Sequence, residues 1–254
     1  MVPFWRRAQR RSVDGQRCLL QLKPDPLGGP GVQQSVPTDG ELARAKYRQF
    51  ATKYDQRGPA LAAKAREILV GRLDLRLGDV VLDVACGTGL SFPLIRDRIA
   101  ESGHIIGVDL SPEMLERARE RVENAGWENV TLVEGSAEEA RIPRPVDALL
   151  FCLTHDVIQS PRALENLFRS AIPGARVAAF GPKWAPWWAA PMNVIIYFAV
   201  RKYTTTHDGL SQPWAHLARF VPDLRIETQW LGSFYTAWGK TTADEPQRVP
   251  IDLW

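Results

Sequence analysis

The feature that most constrains the fold is a short apolar run that leads directly into a glycine-rich turn. Residues 80–84 are Val-Val-Leu-Asp-Val, a β-branched stretch typical of a buried strand. Gly87 and Gly89 follow at once, and a helical pattern begins near Ser91. Glycine lets the backbone turn tightly and brings its N–H groups close to a ligand. A strand, a glycine turn and a helix in this order predict the start of a nucleotide-binding, doubly wound α/β domain.

The glycine turn does not fit a dinucleotide. The fingerprint Gly-x-Gly-x-x-Gly needs a third glycine, and counted from Gly87 that position is Phe92. Asp83, at the end of the strand, would repel a pyrophosphate and attract a cation. S-adenosylmethionine (SAM) carries an ammonium and a sulfonium group and no phosphate. An NAD-dependent oxidoreductase is therefore the less favoured interpretation.

These residues resemble motif I of the class I SAM-dependent methyltransferases, Asp-x-Gly-x-Gly-x-Gly. Asp83, Gly87 and Gly89 match it, and Ala85 replaces the first glycine. We expect this replacement to be mild if the backbone φ angle at residue 85 is negative. The run Gly-Val-Asp-Leu-Ser-Pro-Glu-Met at 107–114 strengthens the resemblance. The phrase at 47–55, Tyr-Arg-Gln-Phe-Ala-Thr-Lys-Tyr-Asp, resembles the lead-in helix of the ubiquinone/menaquinone methyltransferase group.

The cofactor-binding positions follow from strand ends and from this resemblance. Asp109 ends the second predicted strand, where a carboxylate accepts hydrogen bonds from both ribose hydroxyls. Ser136 stands where the family usually has an acid, so we expect its adenine contact to be weaker than a backbone contact at Ala137. The resemblance places Leu110 and Met114 near the adenine. The predicted set is Tyr54, Asp83, Ala85, Gly87, Gly89, Asp109, Leu110, Met114, Ser136, Ala137 and Cys152.

The pattern along the chain predicts an α/β fold with helices on both faces of a sheet. Four strands that are each followed by a helix, and then a fifth, predict parallel pairing with right-handed crossovers. We expect the helix that starts at Pro161 to reach residue 171 and to end at Pro173-Gly174. Two late strands predict an antiparallel pair at the sheet edge. A Rossmann-like, mostly parallel sheet of seven strands with the last one antiparallel is what the class I resemblance implies. The predicted strands are 80–84, 104–109, 130–134, 146–152, 176–180, 224–230 and 234–239.

Composition divides the chain into an arm, a domain and a tail. Residues 1–40 are rich in Pro and Gly without periodicity and predict a disordered arm. Residues 1–35 hold six basic and two acidic side chains, a net charge of +4, whereas the whole chain carries +3. The rest is therefore near neutral, which disfavours nucleic acid as a partner. The methyltransferase domain is predicted at 41–240, with an insert at about 182–222, and the tail at 241–254.

The three cysteines and four histidines form no disulfide framework and no metal-ligand spacing. We therefore expect no metal and a reducing, cytoplasmic location, with attachment to a membrane surface as the alternative. The sequence also shows no pattern of a secretory signal. It leaves open whether the protein is a monomer or a homodimer.

The insert is unusually rich in tryptophan. Trp184, Trp187, Trp188 and Tyr197 are the candidate substrate-binding residues. The stretch from 184 to 200 is too short and too broken by proline for a comfortable membrane span. We expect a helical lid over a flat, apolar acceptor such as a quinone or a phenol. Core packing or a dimer contact, and docking on a membrane surface with Arg201 and Lys202 outside, are the alternatives.

His155 is the candidate catalytic residue, because it follows the fourth predicted strand and titrates near neutrality. It is predicted either to act as a base or to orient the substrate, and Asp156 is positioned to assist it. The predicted function is methyl transfer from SAM to a small aromatic or apolar acceptor, with S-adenosylhomocysteine as product. The alternatives are a SAM-binding protein without methyl transfer, and a methyltransferase for a lipid or quinone at the membrane surface.

Overall fold

The computed structural model of this protein describes residues 60–201, 204 and 206–242. Two short 3₁₀ helices, Trp187–Ala189 and Leu217–Arg219, lie between the fifth and sixth strands. Tyr54, the predicted lead-in helix, the arm and residues 243–254 of the predicted tail lie outside the described residues. The helices are α1 Ala60–Arg72, α2 Phe92–Ile99, α3 Pro112–Asn124, α4 His155–Gln159, α5 Pro161–Phe168 and α6 Ala190–Val200. The strands are β1 Val80–Val84, β2 His104–Asp109, β3 Val130–Glu134, β4 Val146–Cys152, β5 Ala171–Pro182, β6 Arg225–Gln229 and β7 Phe234–Lys240.

All seven strands form one sheet in the order β3-β2-β1-β4-β5-β7-β6. The first five strands pair in parallel, and β7 is antiparallel to both of its neighbours, β5 and β6. The predicted Rossmann-like sheet with a reversed last strand is therefore confirmed. The strand order reverses between β1 and β4, so a ligand crevice opens at the carboxyl ends of these two strands.

The central strands bury side chains on both faces of the sheet. Val81 and Leu150 belong to one apolar layer together with residues of α1, α2 and α3. Leu82 and Phe151, their neighbours along the strands, belong to a second layer with residues of α5. This alternation follows from the two-residue period of a strand. The core fixes the strand ends, and through them the loops that carry the candidate site.

Two predicted elements differ from the structure. Residues 135–145, between β3 and β4, form turns and no helix, and the Asn166 amide holds them by donating to the carbonyls of Ala137 (3.1 Å) and Ala140 (2.9 Å). Helix α5 ends at Phe168, and Pro173-Gly174 lies inside β5 instead of ending a helix. The strand tolerates a proline there because the β4–β5 register shifts between Val146 and Ala148, where no regular ladder donor is required.

The insert after β5 is helical, as predicted. Its inner side packs Ala185, Ala189 and Ile196 against Trp184 and Met192. The side chain of Asn193 binds the backbone of Ala185 in both directions, accepting from its N–H at 2.7 Å and donating to its carbonyl at 3.2 Å. These contacts make the segment a small packed unit, and its role as a lid stays a prediction.

Candidate functional site

The turn between β1 and α2 requires glycine for two different reasons. Gly87 and Gly89 have φ angles of +58° and +73°, in the left-handed region. A Cβ atom at Gly89 would lie 2.7 Å from ring carbons of Phe92, so a side chain does not fit. A Cβ atom at Gly87 would meet nothing within 4 Å, so Gly87 borders open space. A ligand can therefore approach the backbone at Gly87 closely.

Ala85 does not have the backbone angle that we expected. Its φ angle is +50°, so the condition under which its replacement of glycine would be mild is not met. The left-handed conformation costs a non-glycine residue about 1–2 kcal/mol because Cβ crowds the following carbonyl oxygen. The turn therefore carries backbone strain at the one motif I position where this chain departs from glycine.

Asp83 is a buried carboxylate with spare hydrogen-bonding capacity. Its side chain is 1% exposed at the end of β1, and it has a hydrogen bond with the side chain of Ser91. Among the described residues, no partner lies within hydrogen-bonding distance of its Oδ2 atom. Burial raises the pKa of Asp83 from 3.8 to about 7, and the nearby Arg66 guanidinium opposes this rise. A cationic ligand would stabilise the ionised form and fill the vacant acceptor position.

The Asp109 side chain accepts hydrogen bonds from the turn that follows β1 and from the residue that caps α3. Its Oδ2 atom accepts a hydrogen bond from the Gly87 N–H at 2.8 Å, and its Oδ1 atom accepts one from the Ser111 N–H at 2.9 Å. Burial raises the pKa of Asp109, and these backbone donors oppose that rise. Each carboxylate oxygen has a further lone pair, so two vicinal hydroxyls can still donate to it. The geometry fits the predicted ribose contact, which remains a prediction.

The residues predicted to contact adenine lie at the start of α3 and in the turn after β3. Met114 is buried and donates its backbone N–H to the capping Ser111 hydroxyl at 3.3 Å, while Leu110 is half-buried. The Ser136 hydroxyl accepts the Glu138 N–H at 3.3 Å, so it is engaged in its own turn. Ala137 follows in this turn and contacts the apolar layer beneath it. The turn sits beside Asp109, because the Gly135 N–H donates to the Asp109 carbonyl at 3.0 Å.

The end of β4 carries a thiol and an imidazole in apolar surroundings. Burial raises the pKa of the Cys152 thiol to about 12, so the thiol is neutral. Leu153 then takes a left-handed φ of +61°, which reverses the chain and leads to His155 at the start of α4. His155 is 3% exposed, and its Nε2 atom lies 2.9 Å from the Asp208 carbonyl oxygen. Since a carbonyl only accepts, Nε2 carries the hydrogen, and Nδ1 holds the lone pair of the neutral ring.

The structure divides the four predicted substrate residues into two groups. Trp184 and Tyr197 both stack on the ring of His207, with ring centroids 6.5 Å and 5.0 Å from it. His207 directly precedes Asp208, whose carbonyl oxygen lies 2.9 Å from His155 Nε2, so this aromatic group lies beside the end of β4. Trp187 and Trp188 make no such ring contact among the described residues, and their side chains are 87% and 58% exposed. Of the four, Trp184 and Tyr197 are therefore the ones that stack on His207.

Three residues of this site were not predicted from the sequence. Arg66 of α1 acts electrostatically on both Asp83 and Cys152, Ser91 binds Asp83, and His207 links the insert to His155. Ser91 directly follows the glycine turn, so a search for hydroxyls beside the turn would have found it. Arg66 and His207 reach the site only through tertiary packing, and no spacing in the sequence indicates them.

Comparison with known proteins shows what this domain is similar to. Residues 81–174 match the family described as methyltransferase domain. A solved SAM-dependent methyltransferase from Aquifex aeolicus has the same fold, with a TM-score of 0.54 and 22% identity, covering 76% of this chain and 98% of that chain. Residues 81–174 are therefore similar to a methyltransferase domain, and the sheet around them has the fold of a SAM-dependent methyltransferase.

Within that class, the chain is similar to quinone methyltransferases. It is 33% identical over 155 residues to a demethylmenaquinone methyltransferase of Symbiobacterium thermophilum, over 58% of this chain and 62% of that protein. It is 30% identical over 146 residues to a ubiquinone/menaquinone biosynthesis C-methyltransferase of Methylococcus capsulatus, over 54% of this chain and 58% of that protein. The chain thus spans about three fifths of the length of these curated relatives.

Proposed function

We propose that this protein transfers a methyl group from SAM to a small aromatic or apolar acceptor. The observation that carries the proposal is a pair of carboxylates at the open glycine turn: Asp83 is buried at the end of β1, and the half-buried Asp109 accepts the Gly87 N–H. When bound, SAM supplies an electrophilic methyl group. The vacant Oδ2 atom of Asp83 suits its ammonium, and the spare lone pairs of Asp109 suit its ribose hydroxyls. The similarity to quinone methyltransferases supports an apolar ring as the acceptor.

A titration and a transfer assay test this proposal together. We expect calorimetry to show binding of SAM and S-adenosylhomocysteine and none of NADH. We expect label from methyl-labelled SAM to appear in at least one member of a panel of quinols, phenols and other aromatic acceptors. Binding of NADH in place of SAM would overturn the cofactor assignment. Binding of SAM without transfer to any acceptor would support the second candidate, a SAM-binding protein without methyl transfer.

We further propose that the neutral His155 ring accepts the proton of an acceptor hydroxyl at Nδ1. Burial lowers the pKa of His155, which keeps the ring neutral and able to accept a proton near pH 7. No partner of Nδ1 lies within the part of the chain that the structure describes. Trp184, Tyr197 and His207 form the aromatic surroundings that a flat acceptor needs.

The role of His155 is tested by its replacement with glutamine. If His155 is the base, kcat should fall about 10²–10⁴-fold while SAM affinity stays unchanged, and the acidic limb of the pH–rate profile should disappear. If it only orients the acceptor, KM should rise and the pH profile should persist. The matched control is His216→Gln, which makes the same change at the residue that precedes the second 3₁₀ helix. Normal kinetics for His155→Gln would contradict both roles.

A further inference from the structure

One face of the insert is apolar and open to solvent. Its members recur at helical spacing along the first 3₁₀ helix and α6, on the side opposite to the packed residues Ala189 and Ile196. Each member has more than half of its surface exposed. We call this set the apolar face: Trp187, Trp188, Val194, Ile195 and Phe198.

The apolar face is too large to be an ordinary feature of a protein surface. Single exposed apolar side chains are common, but contiguous patches of several hundred Å² mark interaction sites. An aromatic side chain offers about 150–250 Å², so the three rings alone expose roughly 400 Å² at the exposures of 87%, 58% and 58% found here. A helix that is apolar on both its packed and its open side requires a second apolar surface to cover it.

The charges around the apolar face indicate what covers it. No charged residue occurs from 184 to 200, and the flanking charges are Lys183 on one side and Arg201 and Lys202 on the other. The first acidic residue after the segment is Asp208. Two copies of this chain that meet through this face would bring basic flanks together, which opposes self-association. An anionic surface attracts the same flanks.

The length of α6 indicates whether the insert lies on a bilayer surface or spans the bilayer. Helix α6 has 11 residues, which gives about 16 Å at 1.5 Å per residue, roughly half of a hydrocarbon core. Among the described residues, no helix is long and apolar enough to span a bilayer. Tryptophan and phenylalanine beside basic residues are instead typical of a helix that lies in the plane of the interface.

We propose that the apolar face docks this protein on an anionic lipid surface, with its aromatic rings among the acyl chains and the flanking Arg201 beside the phosphates. This inference goes beyond the proposed methyl transfer and does not depend on it. It also assigns a different role to Trp187 and Trp188, which the sequence places over the acceptor in the predicted lid. A face turned toward lipid would bring the end of β5, and the site beside it, to the surface where apolar molecules dissolve.

Vesicle sedimentation of the full chain tests the proposal. The probes are vesicles of phosphatidylcholine alone and vesicles in which about one quarter of the lipid is phosphatidylglycerol. We expect the protein to bind the anionic vesicles, and more weakly at high salt, because salt screens the basic flanks. Replacement of Trp187 and Trp188 by serine should reduce this binding at least tenfold, and Val194→Ser with Ile195→Ser should reduce it by a similar factor. The matched control replaces Leu77 and Ile226, which are 76% and 39% exposed and lie outside the insert, by serine and should bind like the wild type.

Thermal melting and sedimentation velocity are measured on the same proteins. Because the replaced side chains are exposed, melting temperatures should stay unchanged or rise. Absence of vesicle binding by the wild type, equal binding by the tryptophan variant, or equal loss in the Leu77 and Ile226 control would overturn the proposal. A wild-type dimer that the tryptophan variant dissociates, without binding to vesicles, would identify the face as a contact between copies and would also overturn it.

Discussion

Replacement of Asp83 by asparagine tests the electrostatics of the candidate site most directly. The rise in the pKa of Asp83 from 3.8 to about 7 means that folding disfavours its ionised form. At about 1.4 kcal/mol per pKa unit, three units correspond to roughly 4 kcal/mol. In the protein without ligand, this penalty is absent below pH 4, grows as the pH rises towards 7, and is fully present above pH 7. The unliganded protein should therefore lose stability across that range of pH.

Asparagine removes the ionisable group and retains its shape. Its amide nitrogen takes the place of an oxygen without a partner, and a buried unpaired N–H costs about 1–3 kcal/mol. At pH 8 the Asp83→Asn variant should therefore be more stable than the wild type by about 1–3 kcal/mol, and at pH 4 it should be no more stable. SAM affinity should fall at least tenfold, because its ammonium loses a charged acceptor. Asp83 would thus lower the free energy of unfolding of the protein when no cationic ligand is bound.

Urea denaturation at pH 4, 6 and 8, with calorimetric titration of SAM at pH 8, measures both effects. The contrasting variant is Asp109→Asn, which should be less stable than the wild type at every pH, since Asp109 accepts two backbone hydrogen bonds. If Asp83→Asn is less stable than the wild type at pH 8, the carboxylate is a structural anion and the reasoning is refuted. Unchanged SAM affinity would separately refute the assignment of its ammonium to Asp83.

Three further perturbations follow from the same geometry. Asp109→Ala should lower SAM affinity at least tenfold by calorimetry and should also destabilise the fold, because the Gly87 and Ser111 N–H groups lose their acceptor; unchanged affinity would remove Asp109 from the site. Ala85→Gly should raise the free energy of unfolding by up to about 1 kcal/mol, since the φ angle of +50° favours glycine; a loss of stability in urea denaturation would contradict the strain. Deletion of residues 1–35 should leave the melting temperature and SAM affinity almost unaltered, because that segment has no core pattern; a clear drop in melting temperature would show that it packs on the domain.

The sequence predicts the sheet well because its strands are short apolar runs bounded by glycine or polar residues. The bounds of β1, β2 and β4 follow from such runs, and the reversal of β7 follows from the family resemblance. The extent of β5 could not be predicted, since Pro173-Gly174 is a typical helix end. A register shift within the β4–β5 pair accommodates these two residues, and such a shift depends on strand pairing that a local pattern does not contain.

The candidate site is predictable where it lies on strand ends and not where it depends on packing. Asp83, Asp109 and His155 all follow or end strands, so topology alone brings them to one edge of the sheet. The φ angle of Ala85 could not be predicted, because alanine normally avoids the left-handed region. The outward direction of Trp187 and Trp188 could not be predicted either, since tryptophans on a short helix suit a core, a pocket or an interface equally well.

The position of β7 between β5 and β6 has a consequence for synthesis of the chain. The residue pairs of β5 and β7 lie 52 positions apart at Pro182 and Phe234 and 64 positions apart at Arg176 and Lys240. Until residues 234–240 have been made, the nascent sheet presents β5 as a bare edge, and β6 has no strand on which to pair. Bare edges of this kind pair with other chains, and pairings distant in sequence form slowly. The nascent protein should therefore be most prone to aggregate, and most dependent on chaperones, in the interval between the synthesis of β5 and that of β7.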